Sequence, residues 1–434
     1  MKKILMMIAV LALIAVSCDK TPKNEPVAVE VSLSLDGSPY AVSGIDVTLR
    51  ELNGTAVYES KTDAEGMALF NVLPGFYDAT ASFKVAEEGS LYVYNGVNSN
   101  ITVVKDGVNA NALELIQSVT NQLVIKELYV GGCTSDDGSK SFQNDAYVIV
   151  YNNSDTPADA SKLCFAGIAP ANAHASNKYL VNGNLTYASQ GWLPAAQAFW
   201  WFETQVTVEP WSQIVIAMKG AIDHTATYSN SVDLSNADYT MYDPESGFNQ
   251  EATYPAPSAN IPTSHYLQTF PFSTGKAWTL SVMCPAFVMF QSDAPEALAQ
   301  NSADYDLTLG DKQASVKVPA ADVVDGVEIF LIGKEDSSNK RLTSDVDAGY
   351  VMHMNKMGYT VYRNVDKAAT EALEGNKEKL VYNYNGGTQD IEDGSTDPSG
   401  IDAEASIRNG AVIVYQDTNN STKDFHLRKV SSLK

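Results

Sequence analysis

Histidine, cysteine and catalytic motifs are scarce in this chain, and each scarcity removes a class of protein. The 434 residues contain five histidines and four cysteines. The histidines lie far apart and no CxxC or HExxH spacing occurs, so a zinc site has little support. No GxSxG motif or glycine-rich phosphate loop is present either. We therefore predict no enzyme, no catalytic residues and no cofactor.

Positive charge is also in short supply. Lysine and arginine number 29 against 52 aspartates and glutamates, which gives a net charge of −23. Because a body this acidic repels phosphate backbones, we expect no nucleic-acid partner. Hydrophobic residues at 44% and charged residues at 19% are ordinary for a folded protein, and the length allows two or three domains.

The longest apolar run, residues 4–16, is too short to span a membrane but is typical of a secretory signal. Lys2 and Lys3 precede the run, and Cys18 follows it after small residues. We predict a lipoprotein signal peptide over residues 1–17, acylation of Cys18 and a tether over residues 18–26. Ordinary cleavage before Cys18, which would release the protein, stays open. The expected location is the outer membrane at the surface of a Gram-negative bacterium.

The three remaining cysteines allow one disulfide in an exported protein. Cys133 and Cys164 are the natural pair, because both sit beside strands that we predict to be neighbours. The alternative is that Cys133, Cys164 and Cys284 are buried free thiols that act as small apolar side chains.

The apolar pattern predicts a mainly β protein with two domains. Residues 27–35 alternate strictly, and further short strands separated by turn residues predict a β-sandwich over residues 27–117. A larger β-rich domain over residues 121–434 begins with two runs, 123–129 and 146–151, that are rich in β-branched and aromatic residues. We predict core strands there, with long loop insertions at 156–210 and 219–276.

Two resemblances follow from these patterns. Residues 62–66, with the Leu-Pro-Gly-Phe-Tyr of residues 73–77, resemble the carboxypeptidase-regulatory-like, transthyretin-type sandwich of the carbohydrate-binding-like fold group. The rest of the chain resembles an uncharacterised family of Bacteroidota lipoproteins with a lamin-tail-like β-domain. The segments that carry it are residues 123–129, 147–155, 210–217, 233–238, 358–363 and 417–425, with His224. The first resemblance implies a spacer module, and the second implies no activity.

Tryptophan supplies the candidate ligand-binding residues, which are Trp192, Trp200, Trp201 and Trp211. Exposed tryptophan faces stack on sugar rings or fill partner pockets. The alternative is that these rings pack in the core and anchor long loops.

An acidic loop holds the weak metal candidates, Asp390, Glu392, Asp393 and Asp397. Closely spaced carboxylates beside a glycine turn can bind calcium, but the spacing does not match an EF-hand. A solvated loop without metal is the preferred interpretation.

These features favour a non-catalytic lipoprotein of the cell surface that binds a ligand or assists an outer-membrane nutrient importer. Its expected partners are the membrane through Cys18, a TonB-dependent outer-membrane transporter, and a glycan or peptide ligand. The first alternative is a structural or adhesive surface protein. The second is a hydrolase, which requires a cleft that holds a histidine beside a serine, a cysteine or paired carboxylates.

Overall fold

The structure is a computed structural model that describes residues 25–52, 54–87, 90–119, 121–248 and 254–434. The predicted signal peptide and Cys18 lie outside the described residues. None of the helices in those ranges has the length and apolar character needed to cross a membrane.

Most of the regular structure is β, as predicted. The strands are β1 (Val27–Leu35), β2 (Ser38–Pro39), β3 (Asp46–Glu51), β4 (Val57–Lys61), β5 (Met67–Val72), β6 (Gly75–Glu87), β7 (Ser90–Val103), β8 (Ala110–Val119), β9 (Leu123–Tyr129), β10 (Cys133–Thr134), β11 (Ser141–Phe142), β12 (Tyr147–Asn152), β13 (Ala158–Asp159), β14 (Leu163–Ile168), β15 (Leu180–Val181), β16 (Asn184–Leu185), β17 (Trp192–Trp201), β18 (Thr207–Val208), β19 (Gln213–Ala217), β20 (Tyr239–Thr240), β21 (Gln268–Thr269), β22 (Ala286–Gln291), β23 (Ser315–Pro319), β24 (Val323–Leu331), β25 (Val351–His353), β26 (Thr360–Arg363) and β27 (Phe425–Arg428). The short α-helices are α1 (Pro295–Gln300), α2 (Lys367–Ala372), α3 (Ala403–Arg408) and α4 (Ser421–Asp424).

The chain divides into two compact units. Unit 1 comprises the described residues up to 81 together with 97–114. Unit 2 comprises 82–96 and 115–434. The first eight strands form one continuous sheet in the order β2-β1-β8-β7-β6-β3-β4, with β5 also paired to β1. The alternation that predicts β1 is confirmed, because Val29, Val31 and Leu33 are buried while their neighbours are half-buried or exposed.

Unit 2 is built on two large sheets. One has the order β20-β19-β12-β9-β26-β27, and the other has the order β21-β17-β14-β22-β24-β25 with β23 paired to β17. Side chains of β9 and β12 pack against those of β14, β17 and β22 in a shared core. The opposite face of β9 and β12 is covered by apolar residues from 221–237, by Ile261 and by apolar residues from 380–415. Every residue of β9 and β12 is therefore buried, including the charged residues Lys126 and Glu127 of β9.

The predicted loop insertion at residues 156–210 is wrong. This segment contributes β14 and β17, which pair with each other in the seven-stranded sheet. All six residues of β14 are buried, and the last four residues of β17 are buried as well. Neither strand therefore shows the alternation by which a half-buried strand is recognised. The segment 219–276 does consist mainly of loops in its described part, with only the two-residue strands β20 and β21.

The disulfide alternative is also wrong, because Cys133, Cys164 and Cys284 are all free and buried. Cys133 lies in the small β10-β11 sheet and Cys164 lies in β14 of the seven-stranded sheet, so the two strands are not neighbours. Burial raises the pKa of the Cys133 thiol to about 11 and also raises that of Cys164 and Cys284.

We expect a thiol reagent at pH 8 to leave these three cysteines unmodified in the folded chain of residues 19–434, since thiolate and access are both lacking. The same reagent in denaturant, without reductant, should modify three thiols per chain. A count of one would instead show that two of the cysteines are bonded.

Two fully buried arginines, Arg363 and Arg341, each form a buried ion-pair network in unit 2. Arg363 of β26 is fully buried, and its Nη2 donates to Asp325 Oδ2 of β24. Its Nη1 lies 3.5 Å from Asp417 Oδ1 and 3.9 Å from Asp424 Oδ2. Its Nε donates to the Ile125 carbonyl at 2.6 Å. These contacts link β26 to a strand of each large sheet.

In the second network, Arg341 Nη2 and Nε both donate to Glu328 Oε1, at 2.5 and 2.9 Å, and both residues are fully buried. The same guanidinium also donates to the carbonyls of Pro170 and Cys284. Arg341 therefore anchors the loop after β14 and the loop before β22.

Candidate functional site

The predicted tryptophan binding face does not form. Trp200 is fully buried and Trp201 is 8% exposed, because both lie in β17 between the strands of a packed sheet. Trp192 and Trp211 are half-buried. The Trp192 ring packs 5.4 Å from the Tyr187 ring and lies 5.4 Å from Lys317 Nζ. The structure thus supports the alternative interpretation, in which these rings stabilise the core.

The acidic loop does not gather its carboxylates around a common point. Asp397 is buried, and its two oxygens accept from the backbone amides of Val365 and Ser399. Asp390 forms an ion pair with Lys429 at 2.7 Å, which holds the pKa of that carboxyl below its usual range. Within the ranges that the structure describes, no group of three or more His, Cys, Asp or Glu side chains has a metal-binding arrangement.

A cleft of about 540 Å³ lies beside β17 in unit 2. Its walls are the loop after β14 (residues 169–178), the middle of β17 (196–197), residues 273–275 and residues 309–315. We call it the β17 cleft. Its volume falls within the range of about 300–1,000 Å³ that is usual for small-molecule sites.

A bulge in β17 shapes this cleft. Ala166 pairs with Phe199 but Ile168 pairs with Ala195, so residues 196–198 have no partners in β14. At the centre of the bulge, Gln197 has a φ of +67°, which is strained for a residue other than glycine.

The Gln197 side chain and carbonyl hold the bulge in place. Its Oε1 accepts from the Thr279 amide at 2.9 Å, and its carbonyl accepts from the Phe272 amide at 3.0 Å. Backbone strain that is held by its surroundings clusters at ligand sites, and this strained residue lines the β17 cleft.

The polar lining of the β17 cleft is cationic and neutral. Lys178 and Lys312 are the two cationic residues that line the cleft, and none of the described residues that line it is an aspartate or a glutamate. Neither lysine forms an ion pair with any residue that the structure describes. The other polar groups are the amides of Asn172, Gln197 and Gln313 and the hydroxyls of Ser176, Ser273, Thr274 and Ser315.

This composition is unusual for so acidic a chain, because the whole sequence has a net charge of −23. Two ammonium groups attract an anion, and the amides and hydroxyls can donate to or accept from its remaining polar atoms. The arrangement can bind a small polar anion without any chemical step.

A cysteine–histidine contact lies next to the cleft, beside the lining residue Asn172. Cys284 Sγ lies 3.3 Å from His174 Nδ1, and Asn172 Oδ1 accepts from both Cys284 and Ser281. Cys284 is fully buried, and burial raises the pKa of its thiol. Because nucleophilic catalysis requires an accessible thiolate, this contact is suited to holding the wall rather than to attacking a substrate.

Sequence reasoning missed the residues of the β17 cleft. Lys178 and Lys312 are isolated cations in polar loops far apart in the chain, and no local pattern connects them. The low content of lysine and arginine fixes the net charge of the chain, but it does not show which lysines lie near one another in the fold. The bulge at Gln197 has no signal in the sequence either, because it depends on the register between β17 and β14.

Comparison with known proteins shows similarity to a family without a known activity. Residues 209–398 match the model of a family described as "Protein of unknown function (DUF4876)". A solved structure of a DUF4876 family protein from Bacteroides thetaiotaomicron has 20% identity and a TM-score of 0.49, with 92% of this chain and 95% of that chain covered. A DUF3823 family protein from Parabacteroides merdae has 8% identity and a TM-score of 0.16, with 70% of this chain and 98% of that chain covered. None of the curated proteins matches.

The chain is therefore similar, over residues 209–398, to an uncharacterised family with a solved member from the Bacteroidota. This finding supports the coarser part of the resemblance stated from the sequence. The matched region includes the cleft walls at 273–275 and 309–315 but not Lys178 or Gln197.

Proposed function

We propose that this chain is a non-catalytic lipoprotein of the bacterial surface that binds a small anionic ligand in the β17 cleft. The observation that carries the proposal is that Lys178 and Lys312 line a cleft that has no carboxylate among its described residues, and that neither lysine forms an ion pair with a described residue. A charge-assisted hydrogen bond is roughly twice as strong as a neutral one, so two ammonium groups give such a site its selectivity.

The ligand class follows from size and polarity. A volume of about 540 Å³ accommodates a ligand of one or two sugar rings or a short peptide. Carboxylate- or sulfate-bearing glycan fragments and peptides with a free C-terminal carboxylate both supply the anion. We propose that the bound ligand is passed to an outer-membrane transporter of the TonB-dependent type.

The cleft can be tested with a panel of matched ligands and the purified chain of residues 19–434. The panel contains galacturonate with galactose, N-acetylglucosamine 6-sulfate with N-acetylglucosamine, and tripeptides with free or amidated C-termini. We expect a charged member to bind with an affinity at least about tenfold higher than that of its neutral partner, because hydrogen bonds to charged groups contribute about 1.5–3 kcal/mol. Isothermal titration calorimetry gives both affinities.

The matched variants are a Lys178→Gln/Lys312→Gln double substitution in the cleft and a Lys140→Gln/Lys334→Gln double substitution at exposed lysines outside it. Only the first pair should abolish the preference for the charged ligand. If both variants lost the preference for the charged ligand equally, the preference would arise from net charge, and binding in the β17 cleft would be contradicted. Binding of neutral and charged ligands with equal affinity would do the same.

The anchor is tested separately by mass spectrometry of the mature N-terminus from membranes of the producing bacterium. We expect Cys18 to be the first residue and to carry acyl chains, and a Cys18→Ser variant to leave the membrane fraction. A mature N-terminus without acyl chains would overturn the lipoprotein proposal but would leave the β17 cleft unaffected.

A further inference from the structure

Exposed apolar side chains are concentrated at one end of unit 1. Val108 is 93% exposed and Phe76 is 57% exposed, values that are high for large apolar residues. Six of the nine exposed large apolar residues in the described part of unit 1 belong to this end, which we call the apolar tip. They are Leu52, Val57, Leu73, Phe76, Val104 and Val108.

Strand register brings the two turns on one side of the tip together. Val27 at the start of β1 pairs with Val72 at the end of β5, so Leu73 follows directly beside the start of the sheet. The Leu52 amide donates to the Phe76 carbonyl at 2.9 Å, which joins the β3–β4 turn to the β5–β6 turn.

The third turn, residues 104–109, lies at the same end. The Glu30 amide donates to the Asn109 carbonyl at 2.8 Å, and Asn109 Nδ2 donates to the Ala28 carbonyl at 3.3 Å. Lys105 Nζ is 3.9 Å from Glu25 Oε2. Three turns and the first described residues of the chain therefore share one end of the sheet.

The short segment between Cys18 and the first described residue limits how far the apolar tip can lie from a lipid on Cys18. Only six residues, 19–24, separate Cys18 from Glu25, and the seven Cα-to-Cα steps from Cys18 to Glu25 span at most about 25 Å when fully extended. A lipid on Cys18 would therefore hold the apolar tip within that distance of the membrane surface.

We propose that the apolar tip inserts its side chains into the lipid interface to which Cys18 is anchored. This proposal rests on the acylation of Cys18 in the proposed function. Valine, leucine and phenylalanine side chains are suited to the boundary between headgroups and acyl chains. Around them the cation of Lys105 is offset by Glu25, and that of Arg50 by Asp78, so insertion depends on apolar contact and not on anionic lipid.

The test uses the chain from Cys18 onward, coupled through the Cys18 thiol to a maleimide phospholipid in phosphatidylcholine vesicles. The other three cysteines are fully buried, which makes the coupling selective. The reference is the same chain capped with N-ethylmaleimide in solution. Hydrogen–deuterium exchange of peptides that cover residues 73–76 and 104–108 is measured by mass spectrometry. We expect exchange at both turns to slow at least about fivefold on the vesicles, as burial in the interface excludes water.

A matched pair of variants separates insertion from general crowding near the surface. Phe76→Ser/Val108→Ser should remove the protection, whereas Leu69→Ser/Val97→Ser, at residues that are 57% and 41% exposed elsewhere in unit 1, should retain it. Unchanged exchange at the two turns in the coupled protein would overturn the proposal. So would protection that appears in the capped chain together with a dimer in sedimentation, since the tip would then be a self-association surface.

The two proposals fail in different measurements. A mature N-terminus without lipid, read by mass, would overturn both the native anchor and membrane insertion of the native protein. An acylated N-terminus with an unprotected tip would overturn only the insertion.

Discussion

Replacement of Arg363 by methionine is expected to lower the free energy of unfolding of unit 2 by about 3–5 kcal/mol, the usual cost of removing one partner from a buried ionic network. The guanidinium is fully buried and faces Asp325, Asp417 and Asp424. Without it, three buried carboxylates would lose their counter-charge. All five tryptophans lie in unit 2, so tryptophan fluorescence in urea reports on this unit alone.

The pH dependence gives this prediction a specific signature. Burial raises the pKa of Asp325 to about 7 even though Arg363 opposes the shift. A carboxyl whose pKa is raised in the folded state favours folding at low pH and loses that contribution as the pH rises through the folded value. The loss of unfolding free energy caused by Arg363→Met should therefore be larger at pH 8.5 than at pH 5.5.

The control for Arg363 is Lys429→Met, which breaks the solvent-exposed pair with Asp390 and should leave the urea midpoint nearly unchanged. An Arg363→Met protein that unfolds at the wild-type urea concentration at both pH values would contradict the assigned role of this network.

Replacement of Trp200 by alanine is the second large effect, with an expected loss of about 3–5 kcal/mol in the same urea experiment. The indole is fully buried, and its ring centroid lies 6.2–6.3 Å from the rings of Phe248, Tyr254 and Trp278. Alanine would leave a cavity among these rings.

Trp200→Phe and Trp192→Ala are the comparisons for this site. The Trp200 Nε1 group has no hydrogen-bond partner in the described structure, so phenylalanine removes an unsatisfied donor while it keeps most of the apolar volume. Its cost should be less than half that of alanine. Trp192 is half-buried, so its removal should cost less than removal of Trp200. A stable Trp200→Ala protein would contradict the core role of this ring.

Part of the core architecture, namely the strands β1, β9 and β12, was predictable from local pattern, whereas the core strands β14 and β17 were not. Strict alternation in β1 indicates a strand that is buried on one face, and the β-branched and aromatic residues of β12 indicate a strand that is buried on both faces. Asp366 before α2 is readable in the same way, because its side chain accepts from the Ala369 amide as a helix N-cap.

What sequence reasoning missed depends on which strands become neighbours. Cys133 and Cys164 are compatible with a disulfide until the sheet order separates them. Tryptophan chemistry is the same in a core and at a surface, so position in β17 decides the role of Trp200. Lys178 and Lys312 approach one cleft only because the bulge at Gln197 and two distant loops converge there.

The most direct test of the proposed function is a calorimetric comparison of one charged ligand and its neutral partner, titrated into the wild-type chain and into the Lys178→Gln/Lys312→Gln variant. We predict a preference for the charged ligand of at least about tenfold in the wild type and none in the variant. An unaltered preference in the variant would show that the anion binds elsewhere and would contradict the assignment of the β17 cleft.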